Sequence, residues 1–194
     1  MCRPPPYVPL PWRRWSALRN GFRRIRTSTA MRRSEPPKKG TGKKCSGRGV
    51  PMWSAEAVVE SAVTAEAVWQ IWTDVEHWKT WNPQVLASKL NGPFEVGSTG
   101  MIKPKGAPKA AFTMIGVQPE RRWANRTRLP LATLDYIHEL QPAPTGISIR
   151  HCAQLSGPLS GLFGIVMGKK LKGDMPQAVR NLAQKAGEVR AAGG

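Results

Sequence analysis

From residue 55 onward the apolar positions follow two different periods. AEAVVESAV (55–63) alternates and is rich in β-formers, which predicts a strand. Thr64 is an N-cap for a short helix over 65–73, with Val68, Trp69 and Trp72 as its apolar positions. Asp74 is placed to cap a second short helix over 75–81. Asn82-Pro83 ends that helix, because proline disfavours α geometry in the residue before it. Six strand-like runs follow, with turn residues between them: VLASKL (85–90), GMIKPK (100–105), AAFTMIGV (110–117), RWANRTRL (122–129), TLDYIHEL (133–140) and ISIRHCAQL (147–155). The turn QPAPTG separates the last two. Such spacing predicts one meandering antiparallel sheet.

After Ser156-Gly157-Pro158 the period becomes helical. Pro158 suits a first turn, and Leu171, Met175, Ala178, Leu182, Ala186 and Val189 mark one face of a long helix. Gly161, Gly164, Gly168 and Gly173 each cost about 1 kcal/mol against alanine in a helix. Pro176 is expected to kink it. A helix so weak in isolation depends on packing against the sheet. Strand, two short helices, a run of strands and a long helix make an α+β chain.

Charge divides the chain at about residue 51. Residues 1–51 hold 14 Lys/Arg, one acid (Glu35) and eight prolines, whereas 52–194 hold 16 Lys/Arg against 11 Asp/Glu. The net +18 therefore belongs mostly to the first quarter. There Trp12, Trp15, Leu18, Phe22 and Ile25 recur at helical spacing among arginines. Three readings are open for this segment: a disordered or over-extended start, an arm for an anionic membrane or nucleic-acid backbone, and an organellar presequence. The first is preferred, and no specific nucleic acid is expected. Cys2, Cys45 and Cys152 stand far apart without a CxxC pair, which argues against a disulfide framework or structural zinc. The longest apolar run, 159–168, is about half of the ~20 residues a membrane span requires. The expected setting is cytoplasmic.

TAEAVWQIWTDVEHWKTWNP after a strand, then EVGSTG, VQPERRWANRTRLP, GISIRHCAQLSGPLSGLFG and a final amphipathic helix together resemble the START-like helix-grip superfamily (SRPBCC), which includes polyketide cyclase/dehydratase and lipid-transport proteins. The resemblance spans about 54–190. It implies a seven-stranded antiparallel sheet curled around the C-terminal helix, with a cavity between them for a lipid, polyketide or other aromatic molecule. It also implies that Trp69, Trp72, Trp78 and Trp81, on two short helices closing one end of the sheet, are mainly packing residues. On that view Trp72 or Trp78 also reaches a ligand entrance, and Asp74 is a cap rather than a catalyst. The expected organisation is a basic tail over 1–51 and a START-like domain over 52–194.

Strand parity sorts the polar groups. Leu134, Tyr136, His138 and Leu140 share one face of their strand, and Ile147, Ile149, His151, Ala153 and Leu155 share one face of the next. A hairpin through QPAPTG pairs Leu140 with Ile147 or with Ile149. The first register sets Tyr136 opposite His151 and the second sets His138 there. Either way Tyr136, His138 and His151 cluster on the inner face. Such a cluster has three uses: mutual satisfaction in the core, recognition of a ligand carbonyl or hydroxyl, or acid/base work in a cyclisation or dehydration.

Parity and resemblance together nominate Trp72, Trp78, Phe112, Met114, Trp123, Tyr136, His138, His151, Phe163 and Met167 as the lining of a ligand cavity. No metal or other cofactor is expected. Paired carboxylates, a GxSxG elbow, a Walker loop and a strand-linked GxGxxG are all missing from the sequence. Arg122, Arg126 and Arg128 read as a solvated outer face. The leading expectation is binding of a small hydrophobic molecule. The alternative is a cyclase/dehydratase-type enzyme using Tyr136, His138 and His151.

Overall fold

The computed structural model of the chain describes residues 53–192, and the expectations placed on residues 1–51 lie outside them. Strand β1 (Trp53–Ser61) leads to helix α1 (Ala65–Thr73) and a short 3-10 helix (Val75–Thr80). Six strands follow: β2 (Val85–Asn91), β3 (Thr99–Pro104), β4 (Ala110–Gln118), β5 (Arg122–Leu129), β6 (Ala132–Ala143) and β7 (Gly146–Ser156). Helix α2 (Ser160–Ala192) closes the chain. The strands form one antiparallel sheet in the order β1-β7-β6-β5-β4-β3-β2. Every connection after β2 is to a sheet neighbour, so the meander closes only when β7 returns to β1. This is the α+β helix-grip architecture.

Local chemistry accounts for the boundaries. Thr64 caps α1, its hydroxyl accepting from the Ala67 amide at 3.2 Å. Asp74 does not cap the next helix, contrary to expectation. Its carboxylate instead accepts from His77 Nδ1 at 2.7 Å on an exposed turn. That stretch winds as a 3-10 helix, fixed from outside by Ser88 Oγ donating to the Val75 carbonyl at 2.6 Å and by Asn181 Nδ2 donating to the Trp81 carbonyl at 3.1 Å.

Helix α2 starts two residues beyond Pro158 and continues through Pro176 as one element. It lies against β1 and β7. Met175, Ala178, Leu182 and Ala186 are buried as the periodicity predicts, Val179 and Ala183 widen the stripe, and Val189 at its end is exposed. The glycines have a packing role. The Trp53 indole lies on Gly164 and Gly168, where a Cβ would stand 2.9 Å and 2.8 Å from it. Lys172 Nζ covers the same ring at 5.7 Å. The lost helix propensity is thus exchanged for a flat seat under an indole.

The outer face of the sheet carries ion pairs rather than lone arginines. Arg122 and Arg150 flank Glu139 at 3.1 and 3.3 Å, and Arg150 reaches Glu56 at 2.6 Å. Arg126 binds Asp135 through two bonds of 2.7 Å, which raises its already high pKa. Beside them Ala124, Ile137 and Cys152, adjacent across β5, β6 and β7, form a small second cluster.

The β5–β6 connection is a two-residue turn, Pro130-Leu131, between the paired Leu129 and Ala132. Leu131 sits at φ 50°, a left-handed geometry that penalises a side chain with a Cβ. Replacing Leu131 with glycine is expected to stabilise the fold by about 0.5–1 kcal/mol. Chemical denaturation checks this, and a loss of stability would show that the leucine packs rather than strains.

Candidate functional site

The site is assembled by strand register. The β6–β7 hairpin turns through Pro144-Thr145 alone, with Ala143 paired to Gly146 at φ 143°. That tight turn selects the second register, in which Leu140 faces Ile149 and His138 faces His151. On the other side of β6, Trp123 of β5 is the partner of His138. Three ring-bearing residues from three strands therefore stand in one row on the inner face.

The rings pack accordingly. The Trp123 indole and the His138 imidazole stack with centroids 3.8 Å apart and planes 1° from parallel. His151 meets His138 edge-on at 4.4 Å. From α1, Trp72 reaches Trp123 at 6.1 Å, His138 at 5.8 Å and His151 at 5.9 Å. Trp78 of the 3-10 helix stacks on Trp123 at 5.2 Å and on Phe112 at 5.9 Å. Trp81 stands edge-on to His151 at 5.9 Å, and Phe94 edge-on to Trp123 at 5.3 Å. Tyr136 lies farther out, half-buried and 6.3 Å from His138.

The polar atoms of this nest are unusual. Trp78 Nε1 donates to the Trp72 carbonyl at 2.9 Å and is satisfied. Trp72 Nε1, Trp81 Nε1, Trp123 Nε1, His138 Nδ1 and His151 Nε2 are buried without a protein partner. Buried polar groups are ordinarily paired, and each orphan costs about 1–3 kcal/mol. Here five gather around one set of contacting rings.

Burial also sets the protonation states. His138 is held well below the usual imidazole range, first by burial and then by His151, with the Trp123 backbone opposing. Burial lowers His151 to about 3. Both imidazoles are thus neutral at pH 7, each offering one donor and one acceptor nitrogen. Loss of solvent pushes the Tyr136 phenol up, and the charge of Asp174 adds to it, so the phenol keeps its proton.

Of the residues nominated from the sequence, Trp72, Trp78, Phe112, Met114, Trp123, His138 and His151 come together in the core. Tyr136 borders it. Phe163 and Met167, half-buried on α2, pack against the core but are not among the rings of the nest. The rings among the nominated residues touch one another. A separate concavity of about 180 Å³ is walled by Gln70, Ile71, Asp74, His77, Lys185 and Val189. Among the described residues no three His, Cys, Asp or Glu side chains converge as metal ligands.

Two contributors escaped the sequence reading. Asn125 is buried opposite Tyr136, and sharing parity with Trp123 was the signal that pointed to it. Phe94 comes from the β2–β3 connection, where no periodicity marks a side chain as inward.

Solved structures of similar shape agree with this architecture. Protein NE0264 of Nitrosomonas europaea matches with a TM-score of 0.57 and 18% identity, over 71% of this chain and 96% of its own. Norcoclaurine synthase of Thalictrum flavum, as a point mutant with a transition-state analogue, matches with a TM-score of 0.57 and 11% identity, over 71% and 96%. The di-domain ARO/CYC StfQ of the steffimycin biosynthetic pathway gives 0.58 and 13%, over 71% of this chain and 51% of that one. At such identities the likeness is one of fold. No curated protein matches the sequence. The family model for polyketide cyclase/dehydrase and lipid transport matches residues 52–187, well over half of the chain, and the protein belongs to that family.

Proposed function

We propose that the protein binds a small, largely apolar molecule bearing a carbonyl or hydroxyl group, and that the nest around Trp72, Trp123, His138 and His151 receives it. The observation that carries this reading is the gathering of five buried ring nitrogens without protein partners inside an aromatic wall. Indole N–H groups donate to a ligand oxygen, a neutral imidazole donates or accepts, and the ring faces supply apolar contact. Ligand pockets are built in this way, mostly apolar with a few convergent polar groups. Because the rings are in contact, a ligand displaces at least one of them as it binds, and tryptophan emission reports the event.

Family membership leaves a cyclase or dehydrase reading beside this one, with Tyr136, His138 and His151 as acid and base. The protonation states favour recognition. A general base works best with a pKa near the working pH, and an imidazole at about 3 is too weak a base to remove a substrate proton efficiently.

Native mass spectrometry of the full chain, purified without detergent, tests the reading, together with fluorescence titration by anilinonaphthalenesulfonate. The expected result is a retained mass released on denaturation, or saturable uptake of the probe by the folded protein. Replacing both Trp72 and Trp123 with phenylalanine keeps the aromatic wall but removes two N–H donors. Affinity should then fall by about tenfold or more, since each hydrogen bond contributes ~1 kcal/mol. A protein that arrives bare and takes up no probe sinks the proposal, as does equal affinity in the double phenylalanine variant.

A further inference from the structure

The first turns of α2 face two environments. One side seats Gly164 and Gly168 on Trp53. The other side presents Leu162, Ile165 and Val166 to solvent, with 53%, 80% and 73% of their surface exposed. These three lie at i, i+3 and i+4 and so form one stripe. Beside it stands Leu131, 69% exposed at the tip of the β5–β6 turn, whose carbonyl accepts from the Leu159 amide at 3.2 Å. Two unfavourable features therefore coincide at Leu131: a left-handed backbone and an exposed leucine. Strain and apolar exposure retained together mark surfaces that are used.

The surroundings of the stripe are basic. Lys169 is exposed in the next turn and Arg128 is exposed at the end of β5 near Leu131, whereas the Lys172 ammonium is held over the Trp53 ring. Asp174 does not cancel them, because Lys170 holds its carboxylate at 2.6 Å. No described helix is long and apolar enough to cross a membrane. An apolar stripe with cations at its border is instead the pattern of a segment lying in the headgroup region of an anionic bilayer, apolar side down and cations against phosphate.

We infer that this end of the molecule, comprising Leu131 and the stripe Leu162, Ile165 and Val166 with Lys169 and Arg128, docks on an anionic lipid surface. The inference stands on exposure and charge at this tip and does not depend on ligand binding in the nest.

The test uses the full chain with vesicles of phosphatidylcholine mixed with phosphatidylglycerol, and with vesicles of phosphatidylcholine alone. Residues 1–51 carry a net +13 and apolar positions of their own at Trp12, Trp15, Leu18, Phe22 and Ile25, so binding is read by flotation across a salt series and always as the difference between wild type and a variant that keeps this segment. The wild-type chain is expected to prefer the anionic vesicles and to keep a salt-resistant share of binding. Replacing Leu162, Ile165 and Val166 with serine should lower that share by about tenfold or more, because insertion scales with buried apolar area. Since all three are exposed, circular dichroism should stay unchanged. Leu131→Gly is an independent variant that should weaken the salt-resistant share while making the protein more stable. Hydrogen exchange in residues 159–167 should slow when anionic vesicles are added to wild type. Equal salt-resistant binding by wild type and the triple serine variant overturns the inference. So does unchanged exchange in that segment, or self-association of the chain through the stripe in place of vesicle binding.

Discussion

Trp72→Ala is expected to destabilise the protein by about 3–5 kcal/mol, the cost of removing a large aromatic side chain from a core that relaxes only partly. Trp72 is fully buried and meets Trp69, Trp123, His138 and His151. Its loss removes the contact through which α1 grips the inner face of β5, β6 and β7. Trp72→Phe keeps much of that contact and deletes an unpartnered N–H, so it should cost far less. Urea denaturation of the two variants gives the comparison. A cost below about 1 kcal/mol for alanine would show that the neighbouring rings collapse into the space, and that the nest is looser than its packing implies. If the alanine variant folds, the space left behind has the shape of an indole, and added free indole should restore part of the lost stability.

Acid should unfold the protein well before its carboxylates titrate. The folded pKa of His151 is about 3 and that of His138 is also well lowered, against about 6.5 for an unfolded histidine. Below pH 6.5 the unfolded chain therefore binds protons that the folded chain refuses, and stability falls as pH falls. His151 contributes a slope of about 1.4 kcal/mol per pH unit over that interval, and His138 adds to it in the same direction. Stability should be full above pH 6.5 and be lost progressively from there toward about 3. Denaturation midpoints at a series of pH values measure the slope, and His138→Gln should make it shallower. Resonances assigned to the His138 or His151 imidazole that titrate near 6.5 in the folded protein would refute the burial of these rings.

Both predictions rest on residues whose partners were only partly legible in the chain. The short helix 65–73 and strand 122–129 were readable to the residue, because a capping threonine and turn residues bound them. The packing role of Trp72, Trp78 and Trp81 was legible only through a family resemblance. Two judgements failed for local reasons. Asp74 has His77 within one turn and bonds to it instead of capping. Pro158 stands before α2 because Gly157, at φ 102°, still belongs to the turn. The flat stacking of Trp123 on His138 was not legible either, since parity shows which face a residue joins but not how the rings on that face pack.

By itself the sequence determined the class of fold and the inner set of residues. Alternation places Tyr136, His138 and His151 on one face whatever the register, because a strand repeats every two residues. It left open whether Tyr136 or His138 stands opposite His151. That choice shifts the strands by two residues and preserves every inward side chain, so hydrophobic patterning is blind to it. Tertiary structure made the choice through the two-residue Pro144-Thr145 turn, and β5 then brought Trp123 to lie flat on His138. The neutral imidazoles and unpartnered indoles follow from that stacking. They depend on which rings exclude water from which nitrogens, a property of packed volume that no single strand carries.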